Sequence, residues 1–426
     1  MKLELAVKQI RDVRLAGETA VRGDTLFIDA DELKSILLQD KRIGSVDIDI
    51  AKPGEDCRVA NIFDIVEPRT RSAGSDFPGV LGPMATVGVG RTHVLRGVAV
   101  VEVNGLEDRY NKIIDMSGLG ATLGPFSQTC NVALMSTPAS GVDRPTYYNA
   151  LKIAGLRASV YLAESAKHTA PDEVEVYELQ DPDTPSENAA NLPKVAYNYM
   201  LYSHQRPTEQ DEPIFYGDNV KGLLPTVVHP NEILDGAVLC GYWNLGLETY
   251  TIQNHPVIKE LYARHNRDLR FAGVIVNVAY PTQAERERSI AMAVKLAKYT
   301  LGVDGLVLTK VGGGIPETDL MLTCERCEEL GIQTAVIVWS MIADGTVDGS
   351  LSFCSPKANA IASVGIFDAT VKLPQVARVI GAETIGPFVD GSFDPSPATS
   401  AVEVRIRDIA GGLSQIGGSH IRMLEY

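Results

Sequence analysis

The sequence predicts an α/β protein in two lobes: a mixed, β-rich N-terminal lobe over residues 1–230, and a C-terminal lobe over residues 231–426 built as a parallel sheet covered by helices. Three observations predict it. The first half alternates apolar and polar residues over short runs, as at Val46, Ile48 and Ile50, which is the period of half-buried strands. The second half holds continuous apolar runs, Phe271 to Val278 and Thr334 to Trp339, that alternate with helical stretches. Strands of that kind are buried on both faces, as in a parallel sheet between helix layers. Finally, 426 residues, 45% of them hydrophobic, suffice for two sizeable cores.

In chain order, Leu3 to Ile28 reads as a strand pair with turns near Gly17 and Gly23. The acidic run Asp29 to Glu32 opens a helix that ends near Gln39. Ser45 to Ile50 and Ile62 to Val66 continue the β pattern, and Gly74 to Gly90, rich in Gly and Pro, is a loop. His93 to Val103 is a β-branched strand, and Pro145 to Lys167 a helix. Pro171 to Asn191 is polar and acidic, with an exposed loop at its middle. In the second half, helices are expected at Gln283 to Leu301 and Asp319 to Leu330, and a strand at Gly305 to Leu308. Ala360 to Ile366 and Val376 to Ile380 are expected to extend the parallel sheet.

Composition excludes several functions. A net charge of −15 argues against nucleic-acid binding, which needs clustered Lys and Arg. No apolar run approaches the roughly 20 residues a membrane helix needs. The start of the chain carries no secretory pattern, and six scattered cysteines make no disulfide framework, so a reduced, cytoplasmic setting is the expectation.

The candidate chemistry centres on Glu232 to Ile258. A lone thiol, Cys240, follows the strand-like run Ile233 to Leu239, and His-Pro steps flank it at His229-Pro230 and His255-Pro256. Proline biases each histidine toward extended backbone. A thiol beside an imidazole is a candidate nucleophile, and it is equally a small apolar residue that ends a buried strand. His229 and His255 are candidate acid–base or anion-orienting groups, or turn histidines satisfied by backbone carbonyls. Cys324 and Cys327, three apart in a helix, read as a redox pair or as core. Gly312-Gly313-Gly314 lies between a strand and a helix, where backbone N–H groups can cradle a carboxylate or phosphate, or where a tight turn needs positive φ.

Several strings carry a family resemblance along almost the whole chain: Asp64-Ile65-Val66-Glu67-Pro68-Arg69, Phe77-Pro78-Gly79, Gly90-Arg91-Thr92-His93-Val94-Leu95, Ile114-Asp115-Met116-Ser117-Gly118, Ala154-Gly155-Leu156, His229-Pro230 and Asp235-Gly236-Ala237. With these the chain resembles the component B precursor subunits of glycine, sarcosine and betaine reductases, and related proline reductase subunits. The resemblance implies a substrate-binding subunit of a reductase complex. A selenoprotein-like or cysteine-containing partner subunit would displace the amine of a small substrate, and a thioredoxin-linked carrier would reduce the product adduct. It also points to His229 and His93, which stand in matching strings, as site residues.

In that family a cysteine after Asp-Gly-Ala cleaves the chain and leaves a pyruvoyl group, an electron sink for amines. The family's Gly-Asn-Cys step reads Gly241-Tyr242-Trp243 here, and only Cys240 remains. We therefore expect no pyruvoyl group. The expected site is Cys240 and His229 for chemistry, with His93, His255, Gly312, Gly313 and Gly314 holding substrate. A non-catalytic scaffold subunit, or a thiol oxidoreductase using Cys324 and Cys327, are the alternatives. Whether a metal binds is open.

Overall fold

The computed structural model describes residues 1–106, 112–179, 190–203, 205, 208, 210–242, 246–341, 346, 351–386 and 395–419, and the backbone of 424–425. Its architecture is α/β. The main sheet of the second half has seven strands, in the spatial order Thr226–Val228, Arg270–Val278, Lys194–Leu201, Gly305–Thr309, Gln333–Ser340, Ile361–Ile366 and Leu424–Glu425. The inner five run parallel, and the two edges are antiparallel. The helices Gln283–Lys295 and Ile315–Glu329 cover one face, burying Ile290, Val294, Leu320 and Cys324 against Leu306, Leu308 and Val336. The continuous apolar strands thus do what their pattern predicts. This sheet takes in Lys194–Leu201 and Thr226–Val228, so it draws strands from both sides of residue 230.

The first half is β-rich. One sheet contains Lys112–Asp115, Cys57–Val66, Val98–Asn104, Cys130–Pro138 and Ile43–Ala51. The helix Arg144–Glu164 packs on it, capped by Asp143, whose side chain accepts from the Thr146 N–H.

Three local expectations fail, two of them because a distant strand wins over a near one. Leu3 to Ile28 is not a strand pair. Lys2–Gln9 runs parallel to Gly90–Arg96 and antiparallel to Glu173–Glu178, while Asp12–Ala16 pairs with Thr25–Asp29 in a separate small sheet. Glu173–Glu178, at the start of the polar stretch Pro171 to Asn191, is a strand; the loop expected at the middle of that stretch falls on residues 180–189, outside the described residues. Val376 to Ile380 does not extend the parallel sheet either, since Arg378–Gly381 pairs with Cys57–Val66 in the first half. The strand-like run before Cys240 begins as a helical turn, Pro230–Leu234.

Candidate functional site

That turn explains His229. Proline at the first helical position fixes φ, and a capping box closes the start: His229 Nδ1 accepts from the Asn231 N–H at 3.2 Å, and Glu232 accepts from the His229 N–H at 2.8 Å. Burial and the nearby chain terminus push the His229 imidazole down to about 4, so it is neutral at pH 7. The structure gives it a capping role, and it is not among the charged groups around Cys240.

From Asp235 the chain enters a buried seam between the two main sheets. Acidic residues far apart in sequence, three of the four from the resembling strings, line it together with their partners. Asp64 ion-pairs with Lys152 and accepts from the Thr249 N–H at 2.9 Å and from the Thr249 hydroxyl. Glu67 pairs with Arg69 and with Arg96, and accepts from Asn254 Nδ2 at 2.9 Å. Arg69 also donates to the carbonyls of Leu234 and Gln253 at 2.6 and 3.1 Å. Asp235 accepts from the Gly88 N–H and the Thr92 hydroxyl, with Arg71 at 3.3 Å. Glu248 pairs with Lys112 at 2.6 Å. Each of these four carboxylates is 6% exposed or less, so each needs its cation and hydrogen bonds to be tolerated there.

Cys240 sits in the middle of this seam. Its N–H donates to the Thr249 hydroxyl at 3.1 Å, which joins it to Asp64 and Lys152. Its thiol donates to the Leu247 carbonyl at 3.3 Å. Burial, then the Asp64 charge, push the thiol well above its ordinary range, so it is neutral. A cavity of about 10 Å³ adjoins it, lined by Tyr199, Tyr202, Leu239, Gly241, Leu247 and Val311 among others, with room for one water. A Cβ on Gly241 would fall 2.5 Å from Glu212 Oε2, so only glycine lets that carboxylate close over the chain here.

His255 is fully buried. Its Nε2 lies 3.2 Å from the Tyr197 hydroxyl, and its ring makes edge contacts with Tyr197 and Tyr199. Burial pushes it down to about 3. It reaches the Cys240 cavity only through Tyr199. His93 lies away from the seam, on the strand Gly90–Arg96, with Nε2 at 2.9 Å from the Ser72 hydroxyl. The glycine loop comes closer. Gly312, at φ +99°, packs so tightly on Tyr202 that an added Cβ would stand 3.2 Å from its ring, and Tyr202 and the adjoining Val311 both line the Cys240 cavity.

Sequence reasoning missed two groups. Glu102 is fully buried, and neither of its oxygens has a hydrogen-bond partner among the described residues. Burial pushes its carboxyl well above the usual carboxylate range, so it is protonated beside Lys152 and Asp64. Room for it comes from Gly155, where a Cβ would stand 2.0 Å from Glu102 Oε1; that is the physical reason for glycine in the Ala154-Gly155-Leu156 string. The other is Lys310, after the strand Gly305–Thr309, which reads as an ordinary surface lysine but is 1% exposed.

Cys324 and Cys327 are both fully buried in the packed core, with Cys324 Sγ at 3.2 Å from the Thr334 hydroxyl. Burial raises both thiols, that of Cys327 to about 12, and no cation lowers them. Alkylation of the native chain with iodoacetamide at pH 8, read by peptide mapping, is expected to leave both unlabelled until denaturant is added. Prompt labelling of either would revive a redox role. Among the described residues no cluster of three His, Cys, Asp or Glu is placed to hold a metal ion, and no helix is long and apolar enough to cross a membrane. A separate cavity of about 610 Å³, lined by Asn61, Asn104, Ser136, Thr137 and Glu383 among others, shares no residue with the Cys240 cavity.

The model of the glycine/sarcosine/betaine reductase component B subunits matches residues 1–423. The chain is 36% identical over 425 residues to the glycine reductase complex component B subunits alpha and beta of Acetoanaerobium sticklandii, covering 98% of each. It is 36% identical to the protein of the same description from Peptoclostridium acidaminophilum, over all of both chains. To that organism's sarcosine reductase complex component B subunit alpha it is 36% identical, over 92% of this chain and 95% of the relative. No solved structure matches significantly. On a match over nearly its whole length, this chain belongs to the family of glycine/sarcosine/betaine reductase component B subunits.

Proposed function

We propose that this chain is the substrate-holding subunit of a cytoplasmic reductase complex that cleaves a C–N bond, and that it works as one unbroken chain without a pyruvoyl group. In this reading a selenol or thiol of a partner subunit, as its anion, attacks the substrate carbon. A C–Se or C–S bond forms, the C–N bond breaks, and the amine leaves with the electron pair. A thioredoxin-linked carrier then supplies two electrons to release the reduced acid. Cys240, the Gly312 loop and the rings beside them hold the substrate.

The observation that supports an unbroken chain is the state of Cys240: a neutral thiol whose proton is spent on the Leu247 carbonyl, with no imidazole among its hydrogen-bond partners in the described residues. Without an imine, the leaving amine must be activated by a charge it already carries. Mass spectrometry of the denatured protein is expected to show a single species of full length. Two fragments divided at Cys240, the second with a keto cap, would overturn the reading.

A second reading, cleavage at Cys240, is favoured by one feature. The Cys240 N–H is tied through Thr249 to Asp64 and Lys152, a relay that could protonate that nitrogen as its acyl bond is broken. The same spectrum decides between the two.

A further inference from the structure

The first turn of the helix Ile315–Glu329 gathers hydrogen-bonding capacity left over among the described residues. Lys310 Nζ donates to the Gly312 carbonyl at 2.5 Å, lies 3.5 Å from Glu317 Oε2, and stands 4.3 Å from the centroid of the Trp339 ring. One good hydrogen bond leaves most of its three N–H donors over. Trp339 is 1% exposed, yet its Nε1–H has no partner among the described residues. The indole reaches the glycine loop: its ring carbon Cζ2 stands 3.7 Å from where a Gly313 Cβ would be. The helix begins at Gly314, which offers no side-chain cap, so the N–H groups of the first turn have no acceptor inside the helix. Gly313 and Gly314 are exposed, which leaves a way in from solvent.

We propose that Lys310, Trp339 Nε1 and the first-turn N–H groups form the carboxylate subsite for an amino-acid-type substrate. This rests on the reading of the chain as a substrate-holding subunit. A cation, an indole N–H and a helix N-terminus are all donors, so they select an anion. The sign and size of the charge narrow it further. Glu317 stands against Lys310 and offsets much of its charge, so the subsite suits a monoanionic carboxylate and disfavours a doubly charged phosphate. Gly312 then links this end to the Cys240 cavity, because Tyr202 touches both. Lys310 and Trp339 act by binding and positioning, not by bond-making.

The test compares ligands with and without the carboxylate by calorimetry on the full chain: betaine against choline, glycine against ethanolamine, and acetate as the bare group. The variants are Trp339→Phe, which keeps the ring and removes the N–H, and Lys310→Gln, with thermal melting to confirm folding. Trp339→Phe is expected to weaken the carboxylate ligands about 10-fold or more, the usual worth of a hydrogen bond to a charged group. Lys310→Gln is expected to weaken them more, and neither should change choline or ethanolamine. Unchanged betaine, glycine and acetate affinity in a folded Trp339→Phe would overturn the subsite, as would an equal loss for ligands lacking the carboxylate. Acetate binding that depends on Trp339, with no amino acid bound, would keep the subsite and sink the substrate-holding reading instead. A wild-type chain that binds no carboxylate at all would overturn both.

Discussion

Replacing Asp64 by alanine is expected to destabilise the chain by about 3–5 kcal/mol, the cost of stranding a buried charge. Asp64 and Lys152 are both fully buried, and the pair forms their main charge compensation. Burial pulls the Lys152 ammonium down, and Asp64 is the largest influence against it; the balance lies above the ordinary value, so the lysine stays protonated. Without Asp64 the ammonium has only the neutral Glu102 nearby, and Thr249 loses the acceptor of both its N–H and its hydroxyl. The pair should therefore be strongly coupled. Asp64→Ala combined with Lys152→Met removes both charges and is expected to cost less than the two single changes added together, with a coupling of roughly 2 kcal/mol or more. Urea titrations of the four proteins measure it. Strict additivity would mean that water or another group already compensates Lys152.

Acid should undo the protein early, beginning near pH 6.5. His255 is neutral and fully buried, with a folded value of about 3 against an ordinary value of 6.5. The unfolded chain takes up a proton below 6.5 that the folded chain refuses, so stability is lost as pH falls, by about 1.4 kcal/mol per unit until about pH 3. Glu67 adds to this lower down. Burial works to raise its carboxyl, but Arg69 and Arg96 overcome burial and hold it at about 2. Its contribution is present above pH 4.5 and is lost between there and 2, about 3 kcal/mol in all. Stability measured from pH 7 to 4 should therefore decline steadily and then steepen. In His255→Phe the decline between pH 6 and 4 should be shallower by about 1.4 kcal/mol per unit, whatever the variant's absolute stability. An identical slope would show that His255 is protonated in the folded state.

Much of this fold was legible where local pattern and burial agree. Phe271 to Val278 and Thr334 to Trp339 read as buried parallel strands and are such. The errors came where a strand chose a partner hundreds of residues away, as Arg378–Gly381 did with Cys57–Val66; no periodicity encodes that choice. The same holds for the site. Cys240 was visible as a lone thiol, but its companions Asp64, Lys152 and Thr249 come from three separate elements. The histidines beside it in sequence turned out to cap a helical turn (His229) and to fill an aromatic core (His255). The strings behind the family resemblance were the better guide, because three of the buried carboxylates, Asp64, Glu67 and Asp235, lie in them. Lys310 could have been found only by noticing that it ends an apolar strand just before three glycines, where a parallel sheet puts its ligands.

The crossing of strands between the sheets has a practical outcome. A nick at residue 240 would leave Lys194–Leu201 on the first piece, yet wedged between Arg270–Val278 and Gly305–Thr309 of the second. Arg378–Gly381 of the second piece would stay zipped to Cys57–Val66 of the first, with Arg58 still gripping the carbonyls of Pro374, Ala398 and Ser400. The pieces would co-elute as one particle, so gel filtration is blind to such a nick, and only unfolding solvents can tell a whole chain from two halves.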